Sequence, residues 1–444
     1  MPRVSRILRN LLSLVLVAVT SAGCVSEHRS RILVLGIDGA NWDIMTPLMT
    51  AGRLPNMAQF MSDGTWGPLR SFQPYLSPRI WTSIATGKEP DNHGILAWVK
   101  SQDDSASLYY SGDRDGHALW NIFSDQGSSV SLVNWLATYP PEVVRGVVVS
   151  DHALSGESQA RVDLGALFAA AQGESFDAES AIASPEQAIF PKAWNERVLH
   201  PRHAKARLTT VANPFGNDRP LPDLFDRARL SGFFERDQEL VSIALEIDRT
   251  VAPDLAMILL QGVDRISHYL WACRDDPAKY PDYFAPSEEE LRNCSEILEA
   301  YYVYTDQLIG RLLSRYTDED LVMVVSDHGF ETIFADQRTG SHISVAAADG
   351  ILLARGPRIE KGRLLKPSEV SVYDITPTIL AWSGRPTALD MDGQAAPFLI
   401  PDEKTPAPDP IKTYSINPIV RVGESTSGGE AVLIDQLQAL GYVD

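Results

Sequence analysis

The stretch RILVLGIDG, residues 31–39, indicates the class of fold that the sequence encodes. Its apolar run ends at Asp38 and a glycine, which is typical of a buried strand followed by a tight loop. Two further apolar runs, Leu255–Leu260 and Leu321–Val325, follow helical patterns of apolar residues. Buried strands that alternate with helices predict an α/β fold with a mostly parallel central sheet and helices on both faces.

Acidic and histidine side chains come soon after each of these strands. Asp38 follows the first strand, Asp264 the second, and Asp327 and His328 the third. Because open α/β sheets bind ligands beyond the carboxyl ends of their strands, we expect these side chains to converge at one edge. His268 follows Asp264 by four residues, which places the two on one face of a helical turn.

These residue types predict a metal site. His342 completes the set in a Gly-Ser-His loop that precedes another apolar run, Ile351–Ala354. Carboxylates and imidazoles without cysteines suit zinc, and manganese or iron would also accept them. Each residue alone fits an ordinary turn, surface or core position equally well. Their shared placement after strands, in order along the chain, favours metal binding.

The stretch YLSPRIWTSIATGKEPDNHGI, residues 75–95, predicts a helix that begins at Ser77. Ser is a preferred N-cap, Pro is favoured at the first helical position, and Gly87 suits the end of the helix. Arg79 is then expected to be the first residue with a free backbone N–H at an end that attracts anions. On local grounds alone, Ser77 is an N-cap serine.

The chain resembles the type I phosphodiesterase/nucleotide pyrophosphatase branch of the alkaline phosphatase superfamily over residues 31–100 and 250–400. The resemblance rests on the stretches LVLGIDGA, LSPRIWTSIATGKEPDNHGI, QGVDRISH, VVSDHGF, GSHISVAAADGILLARGP and VYDITPTILAWSGRPTALDMDG. It implies an alkaline-phosphatase-like core that holds two divalent metal ions, usually zinc. It also implies a phosphodiesterase/phosphatase-type hydrolase that acts through a metal-bound phosphoseryl intermediate.

The resemblance also implies a role for each candidate residue. Ser77, ten residues before Gly87, stands at the position of the nucleophile. One metal ion would be bound by Asp264, His268 and His342, and the other by Asp38, Asp327, His328 and Ser77. Arg79 is a candidate contact to the substrate. Nucleotide-cleaving members of the family carry an asparagine where this chain has Trp98, which argues against a nucleotide substrate.

Other functions stay open at the level of sequence. A phosphomonoesterase, or a transferase of phosphoethanolamine or phosphoglycerol groups in the envelope, would use the same core. A non-catalytic surface lipoprotein on this fold would be expected to have lost at least one ligand, and every ligand type is present. A sulfatase is disfavoured because Arg79 and Trp81 stand where sulfatases need a proline and an arginine.

The N-terminus has the layout of a secretory signal peptide over residues 1–23. Three arginines flank the start of the apolar run Leu11–Val19, which is too short to span a bilayer. The Ala-Gly-Cys ending resembles a bacterial lipobox and predicts a lipid on Cys24, and simple signal-peptidase cleavage is the alternative. We therefore expect a protein anchored by lipid to the periplasmic side of a bacterial envelope membrane, or one secreted to the periplasm.

The chain is strongly acidic. Its formal net charge is −19, and loss of residues 1–23 would change it to −22, because that segment holds three arginines and no acidic residue. This charge argues against nucleic-acid binding. It would also repel a phosphate-ester substrate unless metal cations offset it.

The sequence predicts the following organisation: signal peptide 1–23, lipid-attachment linker 24–30, catalytic core 31–100 and 241–400, core strands with a cap insertion 101–240, and C-terminal tail 401–444. Within the core, Cys273 and Cys294 would form a disulfide in an oxidising envelope or remain two buried thiols.

Overall fold

The described residues of the computed structural model are 29–102, 105–154, 175–176, 185–200, 227–274, 287–332, 340–342, 349–402 and 406–422. The predicted signal peptide, Cys24 and much of the predicted cap lie outside these ranges. Within these ranges, no helix has the length and apolar character needed to cross a bilayer. From residue 31 onward, the described residues form one structural unit by their contacts, and this unit contains the candidate site.

The elements are numbered along the chain within the described residues. The strands are β1 Ile32–Ile37, β2 Gly64–Leu69, β3 Val99–Gln102, β4 Ser105–Leu108, β5 Val130–Val133, β6 Gly146–Val149, β7 Ser175–Phe176, β8 Ile189–Phe190, β9 Leu255–Leu260, β10 Leu321–Val325, β11 Glu331–Thr332, β12 Gly340–Ser341, β13 Gly350–Arg355 and β14 Arg363–Leu364. The α-helices are α1 Trp42–Thr50, α2 Pro55–Asp63, α3 Ser77–Thr86, α4 Pro90–His93, α5 Leu119–Asp125, α6 Asn195–Leu199, α7 Arg227–Val251, α8 Gly262–Leu270, α9 Glu288–Leu313 and α10 Ile375–Trp382.

Nine of the described strands form the central sheet, in the order β14-β2-β13-β10-β1-β9-β5-β6-β8. The five middle strands, from β10 to β6, pair in parallel. Strand β13 is antiparallel to β10, and β8 is antiparallel to β6. The predicted mostly parallel α/β fold is therefore confirmed. Strands β5 and β6 lie within the segment 101–240, where the sequence predicted core strands.

Alternation along β1 explains why helices cover both faces of the sheet. Leu33, Leu35 and Ile37 pack in a core layer with helices α1, α2, α7, α8 and α9. Ile32 and Val34 point to the other face and pack in a layer with α3, α5 and α10. The register pairs β1 residue by residue with β9 and β10, so the loops that follow these three strands leave the sheet at one edge.

Gly36 allows helix α3 to approach β1 closely. A Cβ atom at this position would lie 2.7 Å from the indole ring of Trp81, closer than side chains can pack. The absence of that atom lets α3 pack directly on the central strand. Because Ser77 is the first residue of α3, this contact brings its hydroxyl to the edge of the sheet where the strands end.

Helix α3 begins at Ser77, but the prediction that Ser77 caps it is wrong. Leu76 occupies the N-cap position, and no side chain makes a capping hydrogen bond. The N–H of Arg79 donates to the Leu76 carbonyl at 3.1 Å, so the prediction that it is free is also wrong. The Ser77 hydroxyl faces Asp38 and His328 instead of the helix amides. Gly87 ends the helix in a left-handed conformation, as predicted.

Two connections outside the sheet bear on the site. Cys273 and Cys294 are joined by a disulfide, which ties the turn after α8 to helix α9. In the tail, residues 406–410 are exposed at the surface. The segment boundaries given above stay predictions.

Candidate metal centre

The structure brings all seven predicted ligand residues to the carboxyl edge of the central strands. Asp38 follows β1, Asp327 and His328 follow β10, and His342 follows β12. Asp264 and His268 lie on α8, the helix that follows β9, and Ser77 starts α3.

The first group of ligand atoms belongs to Asp38, Asp327 and His328, whose ligand atoms all lie within 4.8 Å of one another. His328 Nε2 is 3.4 Å from Asp38 Oδ1 and 3.3 Å from Asp327 Oδ2. Ser77 Oγ is 3.4 Å from both Asp38 Oδ1 and His328 Nε2. The predicted nucleophile therefore adjoins the group to which the resemblance assigned it.

The second group consists of Asp264, His328 and His342, again within 4.8 Å of one another. Asp264 Oδ1 lies 3.7 Å from His342 Nε2 and 3.5 Å from His268 Nε2. The resemblance assigned His268 to this site, and the structure places it beside Asp264 but outside the tightest group. His328 stacks on His342 with ring centroids 3.8 Å apart, so His328 borders both groups.

Backbone carbonyls orient two of the imidazoles. His328 Nδ1 is 3.0 Å from the Gly329 carbonyl, and His342 Nδ1 is 2.8 Å from the Tyr75 carbonyl. In the neutral ring, the nitrogen that donates to a carbonyl carries the proton, and Nε2 is left with its lone pair. Histidines that bind metals are held in this way by their surroundings. The two Nε2 atoms are therefore prepared to act as ligands.

Negative charge on Asp38 and Asp327 is unfavourable, because both side chains are buried close to other carboxylates. Burial raises the pKa of Asp38 well above its usual range, and the nearby carboxylates of Asp327 and Asp264 raise it further. Burial, followed by repulsion from Asp264, raises the pKa of Asp327 to about 8. Burial also lowers the pKa of His328 and of His342, which keeps both rings neutral.

Unsatisfied oxygens show that the donor set fits divalent cations. Asp264 Oδ1 and Asp327 Oδ2 are buried and lack a hydrogen-bond partner among the described residues. Burying such oxygens without a partner costs free energy, which a coordinated cation would offset. Oxygen and imidazole donors without thiolates match zinc, manganese or iron. The residues present therefore fit a two-metal centre.

Two further predicted features lie around Ser77. The guanidinium of Arg79 lies over the Phe72 ring at 5.1 Å, and its Nε is buried without a hydrogen-bond partner among the described residues. Trp98 lines a small recess together with Pro78, Leu108, Tyr109, Leu136, Ala137, Asp151 and His152. Because Pro78 adjoins Ser77, this recess begins beside the candidate nucleophile.

The sequence analysis assigned no individual role to two other residues at this centre. Gln261 Nε2 donates to Asp38 Oδ2 at 3.3 Å. The Phe330 ring packs edge-on against His268 and His342, with centroids 5.0 and 5.4 Å away. Both lie within the quoted family stretches, but only the tertiary arrangement identifies their contacts.

The sheet is largely parallel, and two groups of carboxylate and imidazole donors lie at its edge beside a serine at a helix start. This arrangement is typical of a metal-dependent hydrolase centre. Residues 32–364 match the family described as type I phosphodiesterase / nucleotide pyrophosphatase, and the chain belongs to this family. This family consists of phosphodiesterase-type hydrolases of the alkaline phosphatase superfamily.

Solved structures are similar to this chain at low sequence identity. A protein from Bacteroides thetaiotaomicron described as a candidate sulfatase superposes with a TM-score of 0.50 and 12% identity, covering 85% of this chain and 76% of that one. A phosphonate monoester hydrolase from Silicibacter pomeroyi has a TM-score of 0.48 and 17% identity, covering 83% and 76%.

A sequence relative matches only part of the chain. Arylsulfatase K of Rattus norvegicus is 29% identical over 144 residues, which are 31% of this chain. The match spans about a quarter, 24%, of the length of that curated relative.

Proposed function

We propose that this chain hydrolyses phosphodiesters in two steps, with Ser77 transiently carrying the phosphoryl group. The observation that carries the proposal is the direction of the Ser77 hydroxyl. It faces Asp38 and His328 within the first ligand group and leaves its own helix uncapped. Both partners are ligand-type side chains far from Ser77 in the sequence, so the contact is tertiary.

Two divalent ions, most simply zinc, would lower the pKa of the serine hydroxyl and stabilise negative charge on the phosphoryl and leaving-group oxygens. Asp38, Asp327 and His328 would hold one ion beside Ser77. Asp264 and His342, with His268 or His328, would hold the other. The neutral imidazoles and the partnerless carboxylate oxygens described above support this arrangement.

The chain's own groups would carry the covalent steps. Ser77 Oγ loses its proton and attacks phosphorus, an Oγ–P bond forms, and the ester P–O bond opposite it breaks, the leaving oxygen taking up a proton to depart as an alcohol. Water then attacks the same phosphorus, the Oγ–P bond breaks to release a phosphate monoester, and one proton of the water restores the Ser77 hydroxyl. The positive end of helix α3 faces the transferred group and favours its negative charge.

The side chains that line the recess beside Pro78 would border the organic group of the ester. Trp98, Tyr109 and His152 give the recess aromatic walls. Because Trp98 stands where nucleotide-cleaving relatives have an asparagine, nucleotides are not the substrates that we propose. Arg79 is the proposed cationic contact to the substrate.

A panel of nitrophenyl substrates tests this function. We expect the purified protein to cleave a nitrophenyl phosphodiester faster than the corresponding monoester or phosphonate. Chelation should abolish turnover, and zinc or manganese should restore it. A protein that is fully active without stoichiometric metal would contradict the proposal. A clear preference for the monoester would make the chain a phosphomonoesterase, and product formed only with an added acceptor alcohol would make it a transferase.

We also propose that the chain is attached by a lipid on Cys24 to the periplasmic side of an envelope membrane. The support is the Arg-rich start, the short apolar run and the Ala-Gly-Cys ending of the signal-like segment. Mass spectrometry of the mature N-terminus should find a lipid-modified cysteine, and Cys24→Ala should release the protein from the membrane fraction. An unmodified mature N-terminus would refute the lipid, and detection only in the cytosol would refute export.

A further inference from the structure

The two carboxylate oxygens of Asp38 have different neighbours. Oδ1 is 3.4 Å from both Ser77 Oγ and His328 Nε2. Oδ2 accepts a hydrogen bond from Gln261 Nε2 at 3.3 Å. Asp38 is only 1% exposed, so these contacts rather than bulk water set the direction of its carboxylate.

The backbone of Asp38 is held independently of Gln261. Its N–H donates to the Leu260 carbonyl at 2.9 Å, which continues the pairing of β1 with β9. The freedom that remains is rotation of the Asp38 side chain. Gln261 acts on that rotation alone, because it binds only the oxygen that points away from Ser77.

Gln261 is itself fixed from its other side. Its Oε1 accepts from Asn134 Nδ2 at 3.4 Å and from Arg265 Nη2 at 3.3 Å. Two donors that bind Oε1 on one side and a carboxylate oxygen that accepts from Nε2 on the other define which way the amide faces. Asn134 also donates to the Leu259 carbonyl at 3.0 Å, so the arrangement is anchored to strand β9.

A purely local role does not account for this side chain. Gln261 occupies the N-cap position of α8, but its side chain makes no capping hydrogen bond. It is 6% exposed, so its amide is committed to buried partners. Gln261 lies between the end of β9 and Asp264 on α8, which places the contact between the two ligand groups.

We propose that Gln261 is a positioning residue that holds Asp38 with Oδ1 turned toward Ser77 and the first metal ion. Asn134 and Arg265 orient Gln261 for this role. The inference rests on the proposed function, because it assumes that Asp38 binds a metal. Losing a partner that orients a metal ligand typically weakens metal affinity by about 10–100-fold.

The test is the zinc affinity of chelator-stripped protein, measured by competition with a chromophoric chelator. Gln261→Met keeps the length of the side chain and removes its hydrogen bonds. We expect one of the two zinc ions to bind about 10–100-fold more weakly, the other to be nearly unchanged, and excess zinc to restore most of the turnover. Gln238→Met is the matched control, because Gln238 is buried on α7 and its Nε2 has no hydrogen-bond partner among the described residues.

A second variant keeps the test decisive if Gln261→Met does not fold. Asn134→Gly tolerates the left-handed backbone at this position, φ 61°, and removes one of the donors to Gln261. This variant should weaken the binding of the same zinc ion by a smaller factor. In the double variant the effect should not exceed that of Gln261→Met alone, because both act through one contact.

Equal zinc affinities in the wild type, Gln261→Met and Asn134→Gly would overturn this inference and leave the proposed function standing. An equal loss at both zinc sites would also overturn it, because a general structural defect has that signature. A wild-type protein that binds no zinc, manganese or iron would overturn the proposed function and this inference together.

Discussion

The buried carboxylates should make the stability of the metal-free protein depend on pH in an unusual direction. Burial and Asp264 raise the pKa of Asp327 to about 8, whereas an aspartate in the unfolded chain titrates near pH 4. Between these values the native state holds a proton that the unfolded chain has released. The free energy of unfolding therefore falls as pH rises, by up to about 1.4 kcal/mol per pH unit.

The cleanest window lies between about pH 6.5 and 8. Below pH 6.5 the buried His328 and His342, with lowered pKa values, oppose the trend because only the unfolded chain takes up their protons. Between these two pH values, the titration of one such carboxyl should lower the free energy of unfolding by about 2 kcal/mol. With saturating zinc the trend should reverse, because ions compete with protons for the ligands.

Urea unfolding in the presence of a chelator measures this effect. Asp327→Asn removes the charge but keeps the oxygen that accepts the Gly39 N–H at 3.3 Å, so we expect a less steep profile, to which Asp38 with its raised pKa still contributes. Asp320→Asn is the control, because Asp320 is equally buried and lies before β10, at the other end of that strand. Parallel pH profiles for the wild type and Asp327→Asn would refute the electrostatic reasoning.

Three further outcomes follow from the structure. Replacing Cys273 and Cys294 by serine should lower the free energy of unfolding by about 3 kcal/mol, because the disulfide closes a loop with a sequence separation of 21. Equal stability of the oxidised and the reduced protein in urea would contradict this. Gly262→Ala should lower the free energy of unfolding by about 3 kcal/mol and weaken zinc binding, because a Cβ would lie 1.8 Å from the Tyr301 hydroxyl. An unchanged thermal midpoint would contradict this prediction. Ser77→Thr should keep measurable phosphodiesterase activity because a hydroxyl remains in place, and a rate no higher than that of Ser77→Ala would count against this.

The strand-end residues could be predicted from sequence because two general rules act together. Apolar runs identify buried strands, and the carboxyl ends of parallel strands share one edge. Asp38, Asp327 and His328 follow directly from these rules. Asp264 and His268 needed only the additional spacing of a helical turn.

The start of α3 could not be predicted by local rules. Ser followed by Pro is the usual pattern of a capped helix, yet Ser77 lies inside the helix and turns to Asp38 and His328. Those partners are 39 and 251 residues away in the sequence. A tertiary electrostatic contact therefore replaced the local cap, and this replacement is the main argument that Ser77 has a chemical role.

The sharing of His328 between the two ligand groups was also beyond the sequence. It depends on the stacking of His328 on His342, which comes from a separate loop after β12. Gln261 is a similar case, because its partners Asp38 and Asn134 follow β1 and β5, the two strands that flank β9 in the sheet. Spacing along the chain carries no signal for such lateral contacts.

The rate of Ser77→Ala on a nitrophenyl phosphodiester tests the central claim most directly. Because Ser77 makes no capping hydrogen bond, the variant should unfold within a few degrees of the wild type. We expect kcat/KM to fall at least about a thousandfold, equal to about 4 kcal/mol of barrier, while Thr82→Ala, further along α3, should retain the wild-type rate. A Ser77→Ala protein that keeps kcat/KM within about tenfold, only about 1.4 kcal/mol, would show that Ser77 is not the nucleophile.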